Sequence, residues 1–326
     1  MGRSVRARLE SFPLATPFRI SRGVRTVAEV VTVEIFEGDA RGRGESVPYA
    51  RYGESPESVL AQIAAIEVAI GAGAGRAELL RLLPPGAARN AIDCALWDLE
   101  ARLGGGSVAT RVGWPTRPIV TALTVGLDTP DAMAAAAAAL ADAPLIKVKV
   151  DGHEPEACLR AVRAAAPRPA MIVDPNEGWD LAQLAELQPL LAELRVAFVE
   201  QPLPAAEDAG LEGFEPLVPI CADESCHTAA ELDMLARRYG MINIKLDKTG
   251  GLTEALVLLD AARARGLGVM VGCMISSSLS IAPALQLAAQ ADYADLDGPL
   301  WLKDDRPGGV LLRDGMLMPP ANGFWG

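Results

Sequence analysis

Histidine is nearly absent from this chain of 326 residues: only His153 and His227 occur. A zinc site built on three imidazoles is excluded, and acid–base chemistry must fall to other side chains. Cysteine is scarce and poorly placed for structural work. Cys94, Cys158, Cys221, Cys226 and Cys273 are odd in number, scattered, and form no CxxC pair, so neither a disulfide framework nor a zinc ribbon is expected. Positive charge is in deficit, with 30 Lys and Arg against 42 Asp and Glu and a formal net charge of −12. Such a surface repels phosphate backbones and argues against a nucleic-acid partner. No window approaches eighteen uninterrupted apolar residues, so no membrane span is expected. The opening MGRSVRARLESFPL lacks the apolar run of a secretory leader, and Arg6 stands where myristoylation needs Ser or Thr. A reducing cytoplasm is the expected location.

What is present is a full complement of core residues: 50% are hydrophobic and 22% charged, enough for one large domain or two ordinary ones. In the first third, VVTVEIFEG from Val30 alternates as a strand and runs into GDARGRGES, read as a Gly-rich turn of an antiparallel hairpin. Ser55–Pro56–Glu57 opens a helix through Ile70. A second helix covers about Ala87 to Leu103, with Ile92, Ala95, Leu96 and Leu99 at helical spacing and a triple glycine to end it. The run of alanines at 134–139 reads as helix, begun near Thr129–Pro130–Asp131.

After Pro118 short apolar strands alternate with helical segments. Thr124, Lys147, Asp174, Glu200, Asp223, Lys245, Gly272 and Asp295 mark eight successive strand ends, 22 to 27 residues apart. That period points to parallel strands with crossover helices, and eight of them favour a closed barrel. An open doubly wound sheet is the alternative, but no GxGxxG follows the first of these strands. The expected fold is α/β, a modified TIM barrel of (β/α)7β type over residues 117–302. An α+β capping domain, 1–116, is joined by the C-terminal tail, about 303–326.

A parallel barrel carries its chemistry at the C-terminal strand ends. Three neighbouring strands end there in Asp174, Glu200 and Asp223. Each acid alone could simply cap a helix. Three in register, on strands about 4.8 Å apart, call for a hard divalent cation, and Mg²⁺ suits them. Lys147 and Lys149 share one face of the second strand, although KVKV could also be an edge strand with a solvated face. Lys149 and Lys245, on the second and sixth strands, would oppose each other across the site. Such a pair can remove a proton from one face of a carbon acid and return one to the other. The base then needs a depressed pKa, which Lys147, the cation and partial burial would supply. Asp295 and Asp297, an i, i+2 pair, can hold an ammonium group, or else form a solvated acidic turn. His227 reads as a helix-start residue and His153 as solvated.

The ordered set KVK (147–149), VDPN (173–176), EQPLP (200–204), ADES (222–225) and NIKLDKTGG (243–251) resembles the enolase superfamily, muconate-lactonizing subgroup. DLDGP (295–299) is similar to the D-x-D signature of its dipeptide epimerases. RYGES, AARNAIDCALWDLEAR, ADESCH and NIKLDKTGGLTEA resemble the L-Ala-D/L-Glu epimerase branch in particular. Pro175 departs from the Ala common there and leaves the flanking residues in place. The resemblance implies an Mg²⁺-dependent isomerase performing 1,1-proton transfer on a dipeptide, in peptidoglycan recycling. Lys149 and Lys245 would be catalytic, and Asp174, Glu200 and Asp223 metal ligands. Lys147 would contact the substrate carboxylate, Asp295 and Asp297 its amine, and Thr124 would help seat it. Arg25 would meet an acidic side chain, with Arg22 as competitor, beneath a lid of Tyr49, Tyr52 and the loop of the twenties. Barrels of the family the chain resembles are often homo-oligomers, and the sequence itself leaves the oligomeric state open. The rivals are a lyase like o-succinylbenzoate synthase and a non-catalytic dipeptide-binding barrel.

Overall fold

The structure, a computed structural model, describes residues 2–20 and 23–326. The N-terminal unit begins with a long antiparallel pair, β1 (Ser4–Ile20) and β2 (Gly23–Glu37), to which β3 (Ala40–Ser46) adds. Val31, Val33 and Ile35 of β2 pack against α1 (Pro56–Gly71), α2 (Arg76–Leu82) and α3 (Ala87–Gly104). Most of the stretch read as a Gly-rich turn is therefore strand. Its glycines serve close approach: a Cβ on Gly42 or Gly44 would lie 2.1 Å from a carbonyl oxygen of α3. Strand β1 had no counterpart in the sequence reading, because its charged residues and prolines obscure the alternation. Its register with β2 breaks between Pro13 and Phe18.

The second unit holds β4 (Ile119–Val120), β5 (Leu123–Val125), β6 (Leu145–Lys149), β7 (Ala170–Asp174), β8 (Val196–Glu200), β9 (Ile220–Ala222), β10 (Met241–Ile244), β11 (Gly268–Gly272) and β12 (Tyr293–Asp295). Strands β5 to β12 pair in sequence order, all parallel. The Ala122 amide donates to the Ala294 carbonyl at 2.8 Å, which brings the first and last strands together and closes the barrel. Helices Pro130–Ala139, Pro155–Ala165, Leu181–Glu193, Leu252–Ala264 and Ser278–Ala288 form crossovers. Between β8 and β9 the expected helix is replaced by a 3₁₀ turn, Asp208–Leu211. Four prolines and two glycines between residues 201 and 219 account for the loss. A hairpin of β13 (Leu311–Arg313) and β14 (Met316–Met318) pairs with β4. The tail then returns to the N-terminal unit, where Trp325 Nε1 donates to the Arg43 carbonyl at 2.9 Å.

Period-two alternation divides the barrel interior into layers. Leu145, Ile172, Phe198, Cys221, Met241 and Met270 form an apolar plug. Two residues further along their strands come Lys147, Asp174, Glu200, Asp223, Asn243 and Gly272. Helix α3 is buried on almost every side because it lies between the two units. Arg89 donates to the Thr249 carbonyl (2.6 Å) and Asn90 to Asp247 Oδ1 (2.8 Å). Gly251, at φ +112°, lets the loop after β10 pass the Asp93 side chain, which a Cβ would approach to 2.5 Å. These contacts anchor the segment that carries Lys245.

Candidate active site

The polar layer opens into a cavity of about 210 Å³ at the C-terminal mouth of the barrel. Lys147, Lys149, Asp223, Lys245, Asp295 and Asp297 line it, as do Thr124, Arg25, Tyr49 and Tyr52. Asp174 and Glu200 lie directly beneath, fully buried. In the closed ring β6 and β10 stand with three strands between them on either side, so Lys149 and Lys245 enter the cavity from opposite walls.

Charges are densely interlocked. The Lys147 ammonium sits 2.9 Å from Asp174 Oδ2, 2.7 Å from Glu200 Oε2 and 2.8 Å from Asp295 Oδ2. Lys149 approaches Asp174 Oδ2 to 2.6 Å and donates to Asn176 Oδ1 at 2.9 Å. Lys245 and Lys248 grip the two oxygens of Asp223 at 2.7 and 2.6 Å. Asn243 Nδ2 donates to Glu200 Oε1 at 2.9 Å.

Electrostatics follow from this packing. Burial opposes the charge of Lys147, but Asp174, Asp295 and Glu200 outweigh it and push the pKa well above the usual lysine range. Lys245 is shifted the same way by Asp223 and Glu200. The depressed base expected from the sequence is thus not what Lys245 shows here: its nearest neighbours are carboxylates rather than cations. Burial works against ionised Asp223, yet Lys245 and Lys248 hold its carboxyl well below the ordinary range. Glu200 goes the other way, pushed up to about 8 by burial and the Asp174 charge. The lysines thus stabilise the charge of Asp223 far better than that of Glu200.

That imbalance bears on a cation. Among the described residues no three His, Cys, Asp or Glu side chains are turned together so as to grip an ion. The acids face ammonium groups instead, and Lys147 Nζ occupies the point on which Asp174 and Glu200 converge. An all-oxygen donor set around a buried positive charge fits a hard divalent ion such as Mg²⁺.

At the other wall, Asp297 Oδ2 accepts from the Thr124 amide (3.0 Å) and from Trp301 Nε1 (3.2 Å). Burial and the adjacent Asp295 raise its pKa to about 6. Asp295 Oδ1 is buried with no hydrogen-bond partner among the described residues. With Asp295 Oδ1 open among the described residues and Asp297 met by two neutral donors, the pair has room for a donor from outside. Thr124 thus acts on Asp297 through its backbone.

The upper rim comes from the N-terminal unit. The exposed Arg25 holds its guanidinium 4.8 Å from the Tyr49 ring centroid. Arg22 lies outside the described residues. The Tyr52 ring packs at 5.2 Å against His227, and Arg51 makes a two-pronged ion pair with Glu177 at 2.8 and 2.7 Å. His227 precedes the residue that caps the following turn, Thr228, and burial lowers its pKa. His153 is exposed. The sequence reading passed over Lys248, Asn243 and Asn176. Asn243 was accessible to it, two residues before Lys245 on the same inward face. Lys248 was not, because it reaches Asp223 only through the turn after β10.

The chain matches the family model described as "Enolase C-terminal domain-like" over residues 132–324. It also matches "Mandelate racemase / muconate lactonizing enzyme, N-terminal domain" over residues 3–113. It is 52% identical to the L-Ala-D/L-Glu epimerase of Escherichia coli (strain K12), with 97% of this chain and 99% of that one covered. A crystal structure of an enolase family member from Agrobacterium tumefaciens with homology to dipeptide epimerases, with bound sodium and L-Ala-L-Glu, superposes with a TM-score of 0.98. Its identity is 50%, and the match covers 99% of this chain and 100% of that one. The dipeptide epimerase from Enterococcus faecalis V583, complexed with Mg and L-Leu-L-Tyr, gives a TM-score of 0.91 at 28% identity, with 99% of each chain covered.

Proposed function

The chain belongs to the mandelate racemase and muconate lactonizing enzyme family of enolase-like proteins, and from that premise we propose that it is an isomerase, an Mg²⁺-dependent dipeptide epimerase. It inverts the α-carbon of the C-terminal residue, with L-Ala-D/L-Glu as substrate. The observation that carries this reading is the entry of Lys149 and Lys245 into one cavity from opposite walls, above three buried carboxylates.

In the proposed mechanism Asp174, Glu200 and Asp223 hold the cation. When bound, it supplies positive charge beside a substrate carboxylate that becomes more negative as its α-proton leaves. Lys149 and Lys245 do the proton transfer. One removes the α-proton on its own side, and the other delivers a proton to the opposite side, which inverts the centre. For the reverse reaction the roles exchange. Were Asp223 and Glu200 committed to a cation, the attraction that holds Lys245 protonated would weaken and its pKa would move toward the range a base needs. Lys147 contacts the substrate carboxylate.

Substrate choice rests on the other wall. Asp295 and Asp297 receive the N-terminal ammonium, for which the unpartnered Asp295 Oδ1 is a ready acceptor. Arg25 meets the glutamyl carboxylate at the rim. Such a dipeptide is a product of peptidoglycan recycling, and we place the enzyme in the cytoplasm. No helix of the described residues is long and apolar enough to cross a membrane, and the five cysteines are free thiols. The test is incubation with L-Ala-L-Glu in D₂O and Mg²⁺, followed by mass and chiral analysis. Deuterium at the glutamyl α-carbon together with the D-epimer is expected. Loss of water from the substrate, or no exchange at all, would sink the proposal.

A further inference from the structure

Gln201 directly follows Glu200, and its backbone takes a left-handed φ of +33° that glutamine rarely adopts. Its side chain is fully buried and every polar atom is engaged. Oε1 accepts from the amides of Asp223 (2.9 Å) and Ser225 (3.1 Å). Nε2 lies within hydrogen-bond distance of the Leu203 carbonyl (2.9 Å), Ser225 Oγ (2.9 Å) and Tyr239 OH (3.0 Å). Behind it, the Ser225 and Tyr239 hydroxyls both donate to Asp208 Oδ2 at 2.7 Å, and Arg238 donates to Asp208 Oδ1 at 2.6 Å.

The direction of these bonds matters. An ionised carboxylate only accepts, so Asp208 draws both hydroxyl protons toward itself. The hydroxyl lone pairs are then left for the NH₂ group of Gln201. That fixes which end of the amide is oxygen, and the oxygen faces the Asp223 amide. None of Gln201, Asp208, Ser225 and Tyr239 lines the cavity.

We propose that Gln201 is a positioning residue that locks the ends of β8 and β9 together, so that Glu200 and Asp223 act as one cation-binding unit. Asp208, through Ser225 and Tyr239, sets the orientation of its amide. This rests on the cation reading above. A control lies at the other end of β9, where Gln188 Oε1 accepts from the Val218 amide at 2.9 Å in an equally buried setting.

Mg²⁺ is titrated calorimetrically, without substrate, into the full chain and its Gln201→Met, Tyr239→Phe and Gln188→Met variants, and the Tm of each is recorded. The Mg²⁺ Kd is expected to rise about 10- to 100-fold in Gln201→Met and at least about threefold in Tyr239→Phe. In Gln188→Met the Tm falls but the Kd stays within about twofold of the parent's, as expected where no ligand is oriented. If Gln201→Met does not fold, Tyr239→Phe decides. Undiminished Mg²⁺ binding in the folded variants overturns the positioning role and leaves the cation reading standing. Failure of the parent itself to bind Mg²⁺ overturns both.

Discussion

The floor of the barrel and its mouth are built from the same strands, two residues apart, and they differ in almost every physical respect. The floor is Leu145, Ile172, Phe198, Cys221, Met241 and Met270, with Phe198 packed edge-on against Tyr293 at 5.0 Å. It stabilises the fold by burial alone. Among the described residues the mouth packs four lysines and six acids, Glu224 included, with Glu200 pushed toward neutrality and Asp295 Oδ1 without a hydrogen-bond partner. Side chains two residues apart on one strand thus differ in role, and the expectation is that either layer can be altered with little effect on the other.

That separation can be attacked from both sides. The largest effect is expected on the floor's own ground: Phe198→Ala should cost about 3–5 kcal/mol of stability. Its kcat/KM per folded molecule should stay within a few-fold of the parent's, checked by denaturant unfolding alongside turnover. A large loss of kcat at unchanged folded fraction would merge the two layers. At the mouth, Asp297→Asn should raise the KM for L-Ala-L-Glu by about tenfold or more, as expected for the loss of a charged hydrogen-bond partner, with stability unchanged or improved. Because Asp297 titrates near 6, the parent's KM should also climb as pH falls through about 6, and the variant should lose this dependence. Steady-state kinetics between pH 5 and 8 decide it.

A smaller effect tests the seam between the units. Burial raises Asp247 to about 7, above its unfolded value of 3.8. The folded state therefore holds the proton more tightly than the unfolded one. The resulting penalty is full above about pH 7 and disappears as pH falls toward 3.8. Asp247→Asn, which keeps an acceptor for Val47 and Asn90, should match the parent at low pH and exceed it at pH 8 in thermal melts. A variant less stable at every pH would show that the ionised carboxylate is needed.

The same contrast explains what could be read from the sequence. The mouth was legible because a parallel barrel repeats: polar residues interrupting apolar strands at 22- to 27-residue intervals placed Asp174, Glu200 and Asp223 on one rim. Period two put Lys147 and Lys149 on one face. Illegible were features whose cause lies elsewhere in the chain. Gln201 carries a left-handed backbone angle and a side chain held by Ser225 and Tyr239 from later in the chain, and Lys248 reaches its carboxylate around a turn. Gly42 and Gly44 looked like a turn until α3 lay against them. The upward shift of Lys245 escaped because it depends on which charges stand nearest.

Deuterium incorporation by Lys149→Ala and Lys245→Ala, each offered pure L-Ala-L-Glu and pure L-Ala-D-Glu, bears on the two-sided transfer most directly. Both variants should lose interconversion, and any exchange that survives should be confined to one epimer in the first variant and to the other epimer in the second. Surviving exchange with the same epimer in both, or continued interconversion in either, would contradict the assignment of one lysine to each face.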